Sequence, residues 1–492
     1  MQLDRLLTSA GLVPKSSSGQ AEVTAVAYDS REVGPGTCFV AVRGSRCDGH
    51  DFIGQAVEAG CSAVVCEDGA RVPDSVACAV VDDSKIALGR LAQAIAGNPA
   101  GELVNVGVTG TNGKTTVVHL VYNILESTGR RTALLGTVGY ETGKRRLESN
   151  ATTPDPVTLA RATEEMVRAG RTHLVMEVSS HALDQNRTAG MDFRVGVFTN
   201  ISGDHIDYHK TMGNYVGAKR RLFESLGPDG LAVINREDDY ADEMAQAARK
   251  AGASVKFYGL DSTCDCAGRI ISLDDSGAGF SVSTAGGEVE IHSPLIGRHN
   301  VMNSLAAIAA AEALGVDLGE IGSALASSPV VPGRLEPVSG STDYRIFVDY
   351  AHTDDALKNV LTALNEIKRG RLIVVFGCGG DRDRTKRPRM GKVASKLADR
   401  VVVTSDNPRS EDPQAIVDEV MSGVDSEHQD RCEVCVDRRE AISQAIGQAK
   451  AGDIVLIAGK GHETYQEIDD KRIDFSDVQA ASEIIRNREE DQ

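Results

Sequence analysis

Several things are scarce in this chain, and each scarcity excludes a class of protein. No run of about 18 apolar residues occurs anywhere, so no membrane-spanning helix, and hence no membrane insertion, is expected. The opening MQLDRLLTSAGLVPK has no basic segment followed by a long apolar stretch, so no secretory signal is expected. Positive charge is in deficit: 53 Lys and Arg against 71 Asp and Glu leave a net charge of −18. That speaks against nucleic acid as a partner, and any polyanionic ligand needs a local basic pocket. The ten cysteines are scattered. That scatter fits reduced thiols of a cytoplasmic protein, and Cys432 and Cys435, a single C-x-x-C with no second pair at zinc-site spacing, read as part of a buried strand and not as a metal cage. A G-x-G-x-x-G fingerprint is missing too. GCGGDRD places its glycines at 377, 379 and 380, which disfavours a dehydrogenase.

What remains is ordinary for a globular protein, with 41% apolar and 25% charged residues, and the length fits about three domains. The first hundred residues alternate short strands with turn signals, then give a helix-like segment over 52–59, the strands SAVVC and ACAVV, and a helix over 84–96. The turn GNPAG closes this unit. Beyond it, TALLG, HLVMEV, VGVFTN and LAVIN read as buried strands separated by helical stretches such as 157–168. That is the rhythm of a mainly parallel sheet. Residues 265–292 read as short antiparallel strands, followed by a helix that Asn300 or Asn303 opens. After the linker PVVPGRLEPV the β-α-β rhythm returns from YRIFVDY to DIVLIAG, ending in a terminal helix. The expected fold class is therefore α/β with three domains. These are a small N-terminal α/β domain (1–99), a central phosphate-loop domain with a mainly parallel sheet (100–331), and a C-terminal Rossmann-like domain (332–492).

The central feature is NVGVTGTNGKTT, residues 105–116, where a short apolar run meets a Gly-rich turn ending in Lys-Thr-Thr. Such a loop holds nucleotide phosphates with backbone N–H groups, a lysine and a metal-binding hydroxyl. Gly110, Thr111, Asn112, Gly113, Lys114, Thr115 and Thr116 are the expected ATP-binding residues, with Lys114 on the β/γ-phosphates and Thr115 on Mg²⁺. The loop departs from G-x-x-x-x-G-K-S/T, because Val108 stands where the first Gly belongs.

In a parallel sheet, ligands collect at the carboxyl ends of the strands. Glu177 closes an apolar strand in MEVSSHALDQNR and could hold Mg²⁺ together with Thr115. TNISGDHIDYHK gathers Asp204, His205, Asp207 and His209, which suits metal or phosphate chemistry, with helix capping by Asp204 as the alternative. In ATTPD, Thr152 and Thr153 could offer hydroxyls to a sugar or peptide, or cap the following helix. Arg187 could clamp a carboxylate or phosphate. Lys219 in NYVGAKRRLF lies on a helix with Tyr215, Leu222 and Phe223.

The loop TGTNGKTT, together with ATTPD, EVSSHAL, Y-x-x-A-K-x-x-L-F and SDNPR, resembles the Mur ligase superfamily over nearly the whole chain. These enzymes join an amine to a carboxylate at the expense of ATP. The resemblance is to the branch that adds the third peptide residue, meso-diaminopimelate, to the D-Glu γ-carboxylate of UDP-N-acetylmuramoyl-L-Ala-D-Glu through an acyl phosphate, in peptidoglycan precursor synthesis. It implies that Tyr28, Ser30, Ser45, Arg46 and Cys47 touch the nucleotide sugar, and that Thr152, Thr153, Ser179, Gln185 and Arg187 touch the muramoyl peptide. It further implies that Asn300 and Arg334 serve ATP, that His205 helps bind Mg²⁺, and that Lys219 is carbamylated by CO₂ to supply oxygens for a second Mg²⁺. Lys114, Lys219 and His205 would then be the catalytic set. A monomer is expected.

Three charged loops, GGDRDRTKRP, TSDNPRSEDP and AGKGHETYQ, should converge at the carboxyl edge of the last sheet. They offer Arg382, Arg387, Asp406, Asn407, Pro408, Arg409, Gly459, Lys460, His462 and Glu463, a set suited to a zwitterionic amino acid. Arg409 is the expected reader of the far carboxylate that distinguishes diaminopimelate from lysine, since an arginine left without its anion is costly. The rival readings are the lysine-adding form of the same ligase, a folylpolyglutamate synthetase and a non-catalytic nucleotide switch.

Overall fold

The structure is a computed structural model that describes residues 1–44, 47–144, 146, 147, 149, 151–340, 343–469 and 471–490, with 146, 489 and 490 by backbone. The expected helix-strand alternation is present, and the fold is α/β. The chain divides into two compact units: residues 1–110, 124–199 and 213–257, and residues 111–123, 200–212 and 258–492.

The first unit holds two sheets. The N-terminal sheet orders its strands Ser16–Ser18, Ala77–Val80, Ala63–Cys66, Thr37–Val40, Ala25–Ala27. All pairings are parallel except that of the edge strand Ser16–Ser18. Its inner strands are buried on both faces, as parallel sheets require. Cys38, Val40, Ala63 and Val65 pack with helices Leu3–Ser9 and Ser84–Ile95, while Phe39, Val64 and Cys66 pack with Ile53–Glu58. Asp83 starts Ser84–Ile95 by accepting from the N–H groups of Lys85 and Ile86, the usual use of Asp at an N-cap.

The second sheet of this unit runs Leu231–Asn235, Phe193–Phe198, Val104–Thr109, His173–Glu177, Thr132–Gly136, and ends in a small antiparallel extension. Its first five strands are parallel, with a register shift between Phe193 and Val195, and Glu177 lies beside Val108 and Phe198 beside Thr109. Thr109, Glu177 and Phe198 therefore end on one edge. Val108, the departure from the generic loop pattern, is a fully buried core residue. Gly107 is the position that tolerates no side chain: an added Cβ would come within 2.9 Å of the Phe193 ring.

The second unit carries an antiparallel sheet of Cys266–Asp274, Gly277–Thr284 and Gly287–Ser293, where short antiparallel strands were expected. The following helix, Arg298–Ala313, is capped by Gly297 and not by Asn300 or Asn303. A Gly at φ 92° turns the chain one residue before the helix, and both asparagines are left as buried side chains within its first two turns. The last sheet runs Glu336–Pro337, Arg345–Asp349, Ile454–Ala458, Leu372–Phe376, Arg400–Val403, Cys432–Val434. The four pairings after the antiparallel first one are parallel, and helices cover both faces. A hairpin that the sequence reading did not anticipate, Tyr465–Ile468 and Lys471–Asp474, precedes the terminal helix Asp477–Glu490.

Candidate active site

In the second unit the phosphate loop leads into a helix that starts at Lys114. Gly113 has φ +85°, and a Cβ there would lie 2.4 Å from Asn303 Oδ1. The loop is held by its neighbour at 200–202. Thr111 N donates to Asn200 O (2.7 Å), Asn112 N to Asn200 Oδ1 (2.9 Å), and Ser202 N to Thr111 Oγ1 (3.0 Å). Asp355, in the first turn of helix Asp354–Ile367, accepts from Asn112 Nδ2 and Ser202 Oγ, both at 2.8 Å. Lys114 Nζ donates to Thr111 O at 2.9 Å. Arg334 reaches this loop: its Nη2 donates to Thr115 Oγ1 at 2.9 Å, and its guanidinium lies over the Tyr350 ring. Asn300 is buried and donates to Ile296 O and accepts from Asn303, so it shapes the wall behind Gly113.

The 204–209 loop also belongs to this unit. His205 takes a left-handed φ of 55° and opens the short helix Ile206–His209, so Asp204 is not its cap. Burial would raise the Asp204 carboxyl, but His205, His352 and Lys114 outweigh it and hold the group low and ionised. Burial, reinforced by Lys386, pushes the His352 imidazole down to about 4. The ring is therefore neutral and its Nδ1–H donates to Tyr350 O at 3.0 Å.

In the first unit Glu177 is 1% exposed. Its carboxylate accepts from Thr137 N (2.7 Å) and Thr137 Oγ1 (3.1 Å), and Gly136 leaves room for it, since a Cβ there would sit 2.5 Å from Glu177 Oε1. Thr137 Oγ1 also meets Thr152 Oγ1 at 3.1 Å. Thr153 Oγ1 donates to Glu177 O and accepts from Ser179 N. Neither threonine caps the helix after them; Asp155 does. Ser179 caps the helix Ser180–Asp184. Arg187 is fixed by Thr153 O and by two bonds to Gln185 Oε1. Thr137, like Asn200, Ser202 and Asp355, escaped sequence reasoning, because a lone polar residue at a strand end or helix start carries no spacing signal. Lys219 is 1% exposed; its Nζ donates to Gly110 O at 2.6 Å and lies 4.5 Å from the centroid of the Tyr215 ring. Among the described residues no group of three or more His, Cys, Asp or Glu is gathered as a metal cage. The donors expected for Mg²⁺ are a threonine hydroxyl, a single glutamate, one imidazole and a modified lysine. The first two offer the hard oxygens that Mg²⁺ prefers.

At the N-terminal sheet, Tyr28 is half-exposed. Burial, with Asp155 and Glu32 adding to it, raises the phenol above its ordinary value. Ser30 Oγ donates to Gln55 Oε1, and Cys47 is exposed. Ser45 and Arg46 lie outside the described residues.

At the last sheet the three charged loops do leave one edge and meet. Asn407 is buried and binds all three partners around it: Nδ2 donates to Glu463 Oε2 (2.9 Å), while Oδ1 accepts from Lys460 Nζ (3.0 Å) and Glu467 N (3.0 Å). Lys460, wholly buried, also pairs with Glu463. Gly459 takes φ +115° because a Cβ would sit 2.6 Å from Asp406 Oδ2. Arg409 has φ 54°; its Nη1 donates to Gly380 O at 2.7 Å and its Nε to Glu467 Oε2 at 3.1 Å. The Pro408 carbonyl packs where a side chain on Gly380 would be. Arg382 is exposed and donates to Asp381 O. Arg387 is a correction to the expected set: fully buried, it is consumed by Glu411 and Glu419 and buttresses the loops from behind.

This geometry meets three independent likenesses. Family models match residues 22–97 as "Mur ligase family, catalytic domain", 108–311 as "Mur ligase middle domain", and 333–461 as "Mur ligase, glutamate ligase domain". A protein of Syntrophomonas wolfei named UDP-N-acetylmuramoyl-L-alanyl-D-glutamate–2,6-diaminopimelate ligase is 42% identical over 490 residues, covering 99% of this chain and 100% of its own. The same-named protein of Bacillus cereus is 43% identical over 483 residues, covering 97% and 96%. A solved structure with that name is 37% identical, with a TM-score of 0.68 and 95% of each chain covered. With identity of this depth along its full length, the chain belongs to the Mur ligase family.

Proposed function

We propose that this chain is the ATP-dependent ligase that joins meso-diaminopimelate to the D-Glu γ-carboxylate of UDP-N-acetylmuramoyl-L-Ala-D-Glu. The observation that carries this is a pairing within one chain. A phosphate loop has its Thr115 hydroxyl held by Arg334, and the loops of the last sheet assemble cationic and anionic groups around Asn407 and Arg409. The first prepares an ATP γ-phosphate; the second matches a zwitterion. A nucleotide switch has no use for the second.

The carboxylate oxygen of D-Glu attacks the γ-phosphorus, ADP leaves, and an acyl phosphate forms. The amine of diaminopimelate then attacks the acyl carbon; the C–O bond to phosphate breaks, and the amine gives up a proton as the amide forms. Lys114 offsets charge on the transferring phosphoryl group, and Arg334 and Asn300 keep the loop and its nucleotide in place. Thr115, Glu177 and His205 would be the protein donors to Mg²⁺, which would offset phosphate charge when bound. Lys219 reacts as its neutral amine with CO₂ to give a carbamate and a proton, replacing an ammonium by an anionic oxygen pair. Tyr28, Ser30, Ser45, Arg46 and Cys47 take the nucleotide sugar, and Thr152, Thr153, Ser179, Gln185 and Arg187 take the muramoyl peptide. Arg382, Asp406, Asn407, Pro408, Arg409, Gly459 and Glu463 take the amino acid. We read three working domains, 1–99, 100–331 and 332–492, in a cytoplasmic monomer, where ATP and nucleotide-linked sugars are at hand.

ADP release with the nucleotide dipeptide and a panel of amino acids tests this. Turnover should need both substrates and should strongly prefer meso-diaminopimelate. Release with neither substrate, or equal rates with lysine, would refute it.

A further inference from the structure

The hairpin after the last sheet strand is stitched to the loop that carries Arg409. Arg409 N donates to Glu467 O (2.9 Å) and Asp469 N to Arg409 O (2.9 Å). Gln466 Nε2 donates to Asp406 O (2.8 Å), and Glu467 N to Asn407 Oδ1 (3.0 Å). A parallel bridge joins Arg409 to Ile468. This backbone zipper imposes the left-handed φ of Arg409, a conformation that a non-glycine residue holds only when its surroundings fix it. The side chains repeat the arrangement: Glu467 Oε2 takes the Arg409 Nε–H, and Gly380 O takes an Nη1–H. Arg409 and Glu467 are both mostly buried, at 20% and 27% side-chain exposure. A guanidinium carries five N–H donors in a rigid plane, so two contacts on different nitrogens fix that plane. Among the described residues Nη2 makes no hydrogen bond, so its donors stay available once Nε and Nη1 are engaged.

We propose that Glu467 is a positioning residue for amino-acid selection, acting through Arg409; this rests on the reading of Arg409 as the partner of the substrate's far carboxylate. Glu467 holds the guanidinium plane so that Nη2 presents to that carboxylate without first surrendering side-chain freedom. It also supplies a standing counter-charge, so that Arg409 is not an isolated buried cation before substrate arrives. The sequence reading took Arg409 to be unpaired without substrate; its pairing with Glu467 moves part of the selectivity onto a residue of the hairpin.

The test is a double-mutant cycle on kcat/KM for meso-diaminopimelate, with ADP release as readout. Glu467→Ala should lower kcat/KM by roughly tenfold, the scale of one charge-assisted hydrogen bond, carried by KM with kcat little changed. Glu467→Gln keeps an acceptor and should recover most of the loss. In an Arg409→Ala background, Glu467→Ala should change kcat/KM by less than about twofold, since its target is gone. A loss of equal size in both backgrounds would show a general loosening of the hairpin and overturn the proposal, as would unchanged or improved kinetics of Glu467→Ala. A wild-type enzyme that turns over lysine but not meso-diaminopimelate would overturn the substrate reading and this proposal together. Normal wild-type preference with a silent Glu467 would overturn the proposal alone.

Discussion

Replacing Gly113 by Ala adds a single methyl group, which would lie 2.4 Å from the Asn303 side-chain oxygen at a backbone φ of +85°. Strain of this kind costs roughly 1–3 kcal/mol, and relieving it moves either Asn303 or the phosphate loop. Gly113→Ala is expected to lose most ATP-dependent turnover while urea unfolding shows only a loss of that size; wild-type kinetics would remove Gly113 from the site. Lys219 gives a second residue-scale prediction. Lys219→Ala should nearly abolish ligation, with partial recovery when short-chain carboxylic acids replace the missing carbamate. An Ala variant active without such acids would refute carbamylation. Motif spacing singled out Lys114, Thr115 and Glu177 as candidates, because a chemical role constrains positions relative to strand ends; Arg334, in a linker, was offered by the family resemblance alone. The acceptor of Lys219 was not legible. It is the carbonyl of Gly110, and no residue type announces where a backbone oxygen will point.

The helices and strands were easier to read than the contacts between them. Buried strands such as Leu372–Phe376 and Ile454–Ala458 are short unbroken apolar runs rich in β-branched residues, and that length and composition expose them. The hairpin Tyr465–Ile468 was invisible because its residues are half-buried and of mixed polarity. Charge-rich elements also misled: Arg387 looked like a ligand-binding arginine, yet it lies at the start of helix Lys386–Leu397, facing inward onto Glu411 and Glu419. This pair has a pH signature. The hydrogen bonds from Arg387 hold the Glu411 carboxyl at about 2, against an ordinary value of 4.5. A depressed folded-state value means that the unfolded chain binds the proton more readily. The stabilisation is therefore complete above about 4.5 and lost as pH falls toward 2. Glu411→Gln should flatten the pH dependence of unfolding in that window and leave it unchanged above pH 6. A variant with the wild-type acid slope would show that Arg387 draws its compensation from Glu419 alone.

At the scale of the whole molecule, composition excluded more than it identified; the phosphate loop suggested the superfamily, and ATTPD, EVSSHAL and SDNPR narrowed it to a branch. The net charge of −18 nevertheless has a kinetic consequence. Both nucleotide substrates are polyanions, whereas meso-diaminopimelate is a zwitterion near neutral pH. The basic groups proposed to receive the nucleotides, Lys114 and Arg334 among them, would act over hydrogen-bond distances and be weakly screened. Repulsion from the rest of the chain acts over longer distances, and screening shortens its range from about 30 Å at 0.01 M salt to about 10 Å at 0.1 M. Raising ionic strength across that interval should therefore lower KM for ATP and for the nucleotide dipeptide by a few-fold, through faster association, while KM for meso-diaminopimelate stays nearly constant. Further salt should reverse the trend as the short-range contacts weaken. The measurement is KM for each of the three substrates at fixed pH and saturating Mg²⁺ between 0.01 and 0.5 M salt, a range chosen to bracket the Debye lengths above. If KM for the nucleotides rises steadily from the lowest salt, local basic groups dominate the approach as well as the docking, and the acidic surface plays no part in substrate capture.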